Sequence, residues 1–174
     1  MVFGGGMIIT FVTLLLMPEN RVVFGVLTCL GSCMLLMIPL HKLVSTWEPL
    51  TGGSISFFLF LITRNINKGG LGFEVWQVMS LPESWYANSL TAYLGCPPED
   101  FYSTDYFSIF PWFFLFLTGY FIYRLVERKK WFSCLKLTKE INKAVGLEWL
   151  GRHSLLIYLL HQPIIYGILC LYYI

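Results

Sequence analysis

From Val22 to Leu40 the chain runs for 19 residues without a charge. About 20 apolar residues in a helix cross a bilayer core, so a run of this kind reads first as a membrane span. Two others match it: Phe107 to Tyr123, with 17 uncharged residues, and Ser154 to Ile174, with 21. Val2 to Met17 adds 16, closed by Pro18-Glu19-Asn20, and Leu50 to Thr63 adds 14. The last is short for a span; it either extends back through Trp47 or forms a re-entrant piece. Composition points the same way. Hydrophobic residues make up 56% of the 174 and charged residues 13%, against roughly 25% charged in a soluble domain. A soluble fold of this size cannot bury so much apolar surface, and an aromatic content of 18% excludes disorder. A net charge of +2 makes no case for nucleic acid. The expected fold is all-α: a polytopic transmembrane helix bundle of about five spans, with residues 1–174 forming one membrane-embedded domain.

The loops set the orientation. Residues 124–153 carry eight basic side chains, among them Arg124, Arg128, Lys136 and Arg152, against Glu127, Glu140 and Glu148. Residues 64–106 have a net charge of −3. The positive-inside rule places the 124–153 loop in the cytoplasm and the 64–106 loop outside. With five spans, the first residue is then inside and the last outside. The basic loop also holds Trp131, Phe132, Leu135, Leu137, Ile141, Val145 and Leu147, the pattern of a helix lying on the membrane surface. The outer loop holds Trp76, Trp85, Tyr86, Tyr93, Phe101, Tyr102 and Tyr106, which an interfacial aromatic belt explains. The first segment has no basic flank and no cleavage site, so it is not a signal peptide. The chain begins inside an apolar helix, which leads us to expect further sequence upstream.

Five cysteines suggest no disulfide framework, because Cys29, Cys33 and Cys170 lie in apolar runs, Cys134 in the basic loop and Cys96 in the outer loop. No zinc spacing, phosphate-binding loop or G-x-S-x-G elbow is present. Gly25, Thr28, Cys29, Ser32 and Cys33 put small residues at helical spacing, a tight-packing signal.

Polar groups within spans are costly and mark candidate sites. The strongest cluster runs from Arg152 through His153, Ser154, Tyr158, His161 and Gln162 to Pro163. At 100° per residue, Ser154, Tyr158, His161 and Gln162 share one stripe, with His161 about 12 Å beyond His153. Pro163 cannot donate to the Leu159 carbonyl, so a kink and a free acceptor are expected beside His161. The alternative is that these groups only hydrogen-bond a neighbouring helix. A second cluster surrounds Asp105 at the head of the fourth span. Asp105 suits a helix cap, with a substrate contact at the outer mouth as the alternative, and Pro111 suits a first helical turn.

Two stretches carry a family resemblance. One is Asp105-Tyr106-Phe107-Ser108-Ile109-Phe110-Pro111-Trp112-Phe113 with Leu117-Thr118-Gly119; the other is Leu150-Gly151-Arg152-His153-Ser154-Leu155-Leu156-Ile157-Tyr158-Leu159-Leu160-His161-Gln162-Pro163. Together with Ile8-Ile9-Thr10, Met17-Pro18-Glu19 and Val23–Leu27, they resemble the bacterial branch of the heparan-α-glucosaminide N-acetyltransferase-like membrane proteins. The resemblance implies a multi-pass acyltransferase of the bacterial plasma membrane. Such a protein takes an acyl group from acetyl-CoA or another acyl-CoA and passes it to a sugar amine or hydroxyl across the membrane, with no metal. The residues suit that chemistry: His161 either as a general base or as the group that orients a catalytic residue of the missing section, and Arg152, with neighbouring lysines, as a coenzyme A phosphate contact. His153, Ser154, Tyr158, Gln162 and Asp105 are the further binding candidates. Partners would be the bilayer, acyl-CoA and a carbohydrate acceptor, with a homo-oligomer left open. The chain departs from the family in two ways: the N-terminal section with an Asp-x-x-Arg-Gly-like start and a histidine has no counterpart, and Thr28 stands where the family often has a histidine. It therefore reads as the C-terminal part of an enzyme. The competing class is a non-catalytic membrane bundle, transporter-like or an assembly subunit.

Overall fold

The computed structural model describes residues 1–16, 18–73, 76–130 and 145–172. They fall into two compact units, Met1–Arg128 and Lys129–Ile174.

The first unit is built on four apolar helices: α1 (Val2–Leu16), α2 (Val26–Val44), α3 (Pro49–Thr63) and α5 (Ile109–Arg128). Between α3 and α5 lie a two-stranded antiparallel hairpin, β1 (Gly70–Phe73) and β2 (Trp76–Ser80), and the short helix α4 (Ser89–Leu94). The second unit contains α6 (Val145–Arg152) and α7 (Ser154–Tyr172). The chain is mostly helical, and the hairpin corrects the all-α expectation. Its strands are only 4 and 5 residues long, too short to show an alternating pattern against an aromatic-rich background.

Helix boundaries also differ from the apolar runs. α2 starts four residues later than Val22, because Arg21 to Gly25 form an extended turn bonded to the 102–107 segment. It continues past Leu40 through His41 and Lys42, whose cationic end suits a helix C-terminus. α3 does not reach back through Trp47. Glu48 caps it, its side chain accepting from the Thr51 N–H, and Pro49 occupies the first turn. A Cβ on Gly52, near the start of α3, would lie 2.4 Å from Phe121 Cζ late in α5, while Phe60 near its end meets Trp112 early in α5. The two helices thus run antiparallel along their shared length. Arg124 and Arg128, assigned to a loop by charge, lie in the last turns of α5. Most of the predicted surface helix, 131–144, falls outside the described residues. α6 and its Leu147 are described as helix.

Close approach of small residues holds α1 against α2. A Cβ on Gly6 would lie 2.4 Å from Thr28 Oγ1, and one on Gly31 would lie 2.5 Å from Phe3 Cα. On its other side α2 buries Cys29 and Cys33 against Ile109 and Phe113 of α5. The small-residue spacing of α2 therefore serves packing, as expected.

The distribution of polarity is inverted relative to a soluble protein. Thr28, Ser32, Ser56, Ser108 and Thr118 are buried, whereas Ile8, Phe11, Leu35, Ile38, Phe58 and Ile122 stand exposed on the helices. Exposed apolar surface on this scale marks contact with a membrane or a partner. Two described helices, α2 and α5, are long and apolar enough to cross a membrane, and α1 is a shorter apolar helix.

Candidate functional site

At one end of the first unit, the 21–26 turn is stitched to the 102–107 segment. The Arg21 Nε donates to the Tyr102 carbonyl at 3.2 Å, and the Thr104 N–H donates to the Arg21 carbonyl at 3.2 Å. Ser103 Oγ accepts from the Val23 N–H and donates to the Val23 carbonyl, both at 2.9 Å. The Phe107 N–H donates to the Phe24 carbonyl at 2.9 Å. Phe24 has φ 57°, a costly left-handed conformation for a bulky residue. Its ring contacts with Tyr93 at 5.0 Å and Phe101 at 6.1 Å, together with that backbone bond, offset the strain. Phe101 in turn meets Tyr106 edge-on at 5.0 Å. Several aromatics assigned to an interfacial belt therefore pack on one another over the head of α2.

Asp105 is half-buried in this seam, and its Oδ2 accepts from the Val26 N–H at 3.4 Å. It caps α2, not the helix that follows it in sequence. Gly25 makes room for the carboxylate: a Cβ there would sit 3.1 Å from Asp105 Oδ2. Pro111 occupies the first regular turn of α5, after the non-helical Phe110.

A chain of buried hydroxyls continues beneath. Ser32 Oγ donates to the Thr28 carbonyl at 2.6 Å and hydrogen-bonds the Tyr93 hydroxyl. Ser108, wholly buried, donates to Asn67 Oδ1 at 3.1 Å, and the Cys29 thiol donates to the Ser108 carbonyl at 3.4 Å. Tyr106 donates to the Ala92 carbonyl, and Tyr86 to the Ile66 carbonyl at 2.5 Å. Burial raises the Tyr86 phenol to about 12, with Cys96 beside it adding to the shift. Burial likewise pushes up Cys96 and Tyr106. The sequence reading missed these links. Ser32 stood out only as a small residue, and its partner lies 61 positions away, beyond any periodic signal.

At the opposite end, Arg124 donates to the Val44 carbonyl at 3.4 Å and the Trp47 carbonyl at 3.2 Å. Arg128 pairs with Glu48 at 3.5 Å. Both pairings tie the C-terminal end of α5 to the α2–α3 turn. α2 and α5 are therefore parallel, with α3 antiparallel to both. An apolar groove of about 270 Å³, lined by Cys29, Cys33, Phe107, Trp112 and Phe116, runs between α2 and α5.

The second unit carries most of the candidate residues. Arg152 ends α6, His153 forms the break, and Ser154 opens α7, with Tyr158, His161 and Gln162 following on the same helix. His153 Nδ1 lies 2.9 Å from the Trp149 carbonyl, and its ring stacks on Trp149 at 4.5 Å. His161 Nδ1 lies 2.5 Å from the Tyr158 carbonyl, and the two rings are 5.2 Å apart. An Nδ1 bonded in this way leaves Nε2 as the available ring nitrogen. The described backbone of α7 is a single helix through Pro163 to Tyr172. Arg152, Ser154 and His161 are exposed. The structure thus brings Arg152, His153, Ser154, Tyr158 and His161 onto one helix–break–helix element, while Asp105 belongs to the first unit. Among the described residues, no group of three or more His, Cys, Asp or Glu side chains is placed to hold a metal ion.

The model of one protein family, heparan-alpha-glucosaminide N-acetyltransferase, catalytic, matches residues 1–163. The chain belongs to this family. The match includes both the capped seam at Asp105 and the element from Arg152 to Gln162. It places the chain among membrane-associated acetyltransferase-like proteins, for which an acyl-CoA donor is the consistent co-substrate. No curated protein and no solved structure matches the chain.

Proposed function

We propose that this chain works within a multi-pass acyltransferase of a bacterial plasma membrane, which moves an acetyl group from acetyl-CoA to a sugar amine or hydroxyl on the other side. The family match over residues 1–163 carries the reading. The five apolar helices α1, α2, α3, α5 and α7 are its spans. The parallel course of α2 and α5, with α3 antiparallel, supports a topology in which α3 crosses despite its 15 residues. That topology puts residues 64–106 outside and 124–153 inside, in line with their charge.

The reaction needs a base and an anchor. The acceptor nitrogen or oxygen bonds to the acetyl carbonyl carbon, the carbon–sulfur bond breaks, and coenzyme A leaves as its thiolate. The proton lost by the acceptor passes to His161 and then to the departing sulfur. Imidazole is the side chain most often used to take and return a proton in such a transfer. Arg152, the last residue of α6 just before α7, supplies a guanidinium for the coenzyme A phosphates, the type of donor that pairs with them in two-pronged fashion. His153 sits beside it, and Ser154, Tyr158 and Gln162 continue the polar stripe along the helix.

The test is kinetic, in reconstituted protein with labelled acetyl-CoA and glucosamine-type acceptors. His161→Ala is expected to lower kcat at least a hundredfold, the usual scale for a lost general base. Arg152→Ala is expected to raise KM for acetyl-CoA with kcat little changed. Wild-type transfer by His161→Ala would remove the base assignment. An unchanged KM in Arg152→Ala would remove the phosphate contact.

A further inference from the structure

The β1–β2 hairpin presents apolar side chains to its surroundings. Trp76 is 82% exposed and Val78 79%, and Phe73 and Met79 are exposed beside them. Phe73 pairs with Trp76 across the two strands, and Leu71 with Met79, with a bulge between Leu71 and Gly72. From Gly70 to Pro82 the sequence has a single charge, Glu74. A lone two-stranded hairpin is marginal in water, and one with this face exposed to water would attract other chains.

We infer that the β1–β2 hairpin lies in the outer leaflet's headgroup region, with Trp76 and Val78 inserted among the lipids. Position selects lipid as the occupant. β1 begins seven residues after Thr63 and packs on α3. A strand resting against a spanning helix cannot stand clear of the interface that the helix crosses. The apolar surface of the hairpin is also continuous in the chain with that of α3, where Phe57 and Phe58 are exposed. Tryptophan is the residue enriched at headgroup depth, where its ring is apolar and its N–H can meet a polar partner. The hairpin thereby fixes the depth of the outer loop, in which Tyr86, Tyr93 and Tyr106 are tied down by their hydroxyls. The inference rests on the spanning role proposed for α3 and not on acyl transfer.

Photo-crosslinking tests it. p-Benzoylphenylalanine is placed at position 76, 78, 58 or 100 of the otherwise unchanged protein in phosphatidylethanolamine–phosphatidylglycerol vesicles. All four sites are exposed, so the replacements leave the fold in place. Positions 76 and 78 are expected to give phospholipid adducts several-fold above position 100, in an acidic turn, and comparable to position 58 on α3. Lipid adducts at 58 with background yield at 76 and 78 would overturn the hairpin's placement and leave α3 in the membrane. Adducts at 76 and 78 to a second copy of the chain would overturn it in favour of a protein interface. Background yield at 58 as well would overturn the spanning role of α3 and the hairpin's placement with it.

Discussion

Asp105 caps a helix that begins 79 residues before it: its Oδ2 accepts from the Val26 N–H at 3.4 Å. This bond joins the turn that opens α2 to the segment that opens α5. Replacing the carboxylate by Ala is expected to destabilise the folded protein by about 1 kcal/mol, the usual cost of a lost N-cap. Asp105→Asn, which keeps an acceptor oxygen, is expected to lose less. Thermal unfolding in detergent measures the effect. Reduced transfer with unchanged unfolding would instead assign Asp105 to the acceptor.

The α3–α5 seam depends on a missing side chain. A Cβ at Gly52 would lie 2.4 Å from Phe121 Cζ and 2.5 Å from Cε1, and Phe121 is 2% exposed. Gly52→Val is expected to cost roughly 1–3 kcal/mol, the range for overpacking a filled core. Shortening the opposing residue with Phe121→Leu in the same chain is expected to recover part of it. A double variant no more stable than Gly52→Val alone would show that the two positions are not in contact.

How much of this was legible in the sequence depends on the range of the interaction. The apolar runs at Val22–Leu40 and Phe107–Tyr123 declared themselves through uncharged length, and most of each became helix. Their ends moved, because the true boundaries are set by partners far along the chain: Ser103 and Asp105 for the start of α2, the Val44 and Trp47 carbonyls for the end of α5. The stripe from Ser154 to His161 was readable because helical spacing is local. The bond between Ser32 and Tyr93 was not, since nothing in either neighbourhood marks the other as its partner. The hairpin escaped notice because Trp, Phe and Val are common throughout this chain and four residues are too few to establish an alternation.

The raised Tyr86 phenol predicts a pH dependence. The folded protein holds this proton up to about 12, against 10.0 for the ordinary group, so the folded state binds it more tightly than the unfolded chain. Stability from this site is complete below pH 10 and falls as the pH rises toward 12. Tyr86→Phe removes that fall and also removes the bond to the Ile66 carbonyl, at a cost of roughly 1 kcal/mol near neutral pH. Unfolding midpoints of the two proteins should therefore converge between pH 10 and 12. A constant gap across that window would contradict the assignment.

Acetyl transfer can be followed across the bilayer itself. The protein is reconstituted in sealed vesicles and selected for one orientation, with labelled acetyl-CoA on the side of residues 124–153 and glucosamine on the side of residues 64–106. Labelled N-acetylglucosamine is expected on the acceptor side, formed by the wild type and lost in His161→Ala. Folded wild-type protein that forms no acetylated acceptor, or forms it only when both substrates share one side, would contradict the proposed transfer.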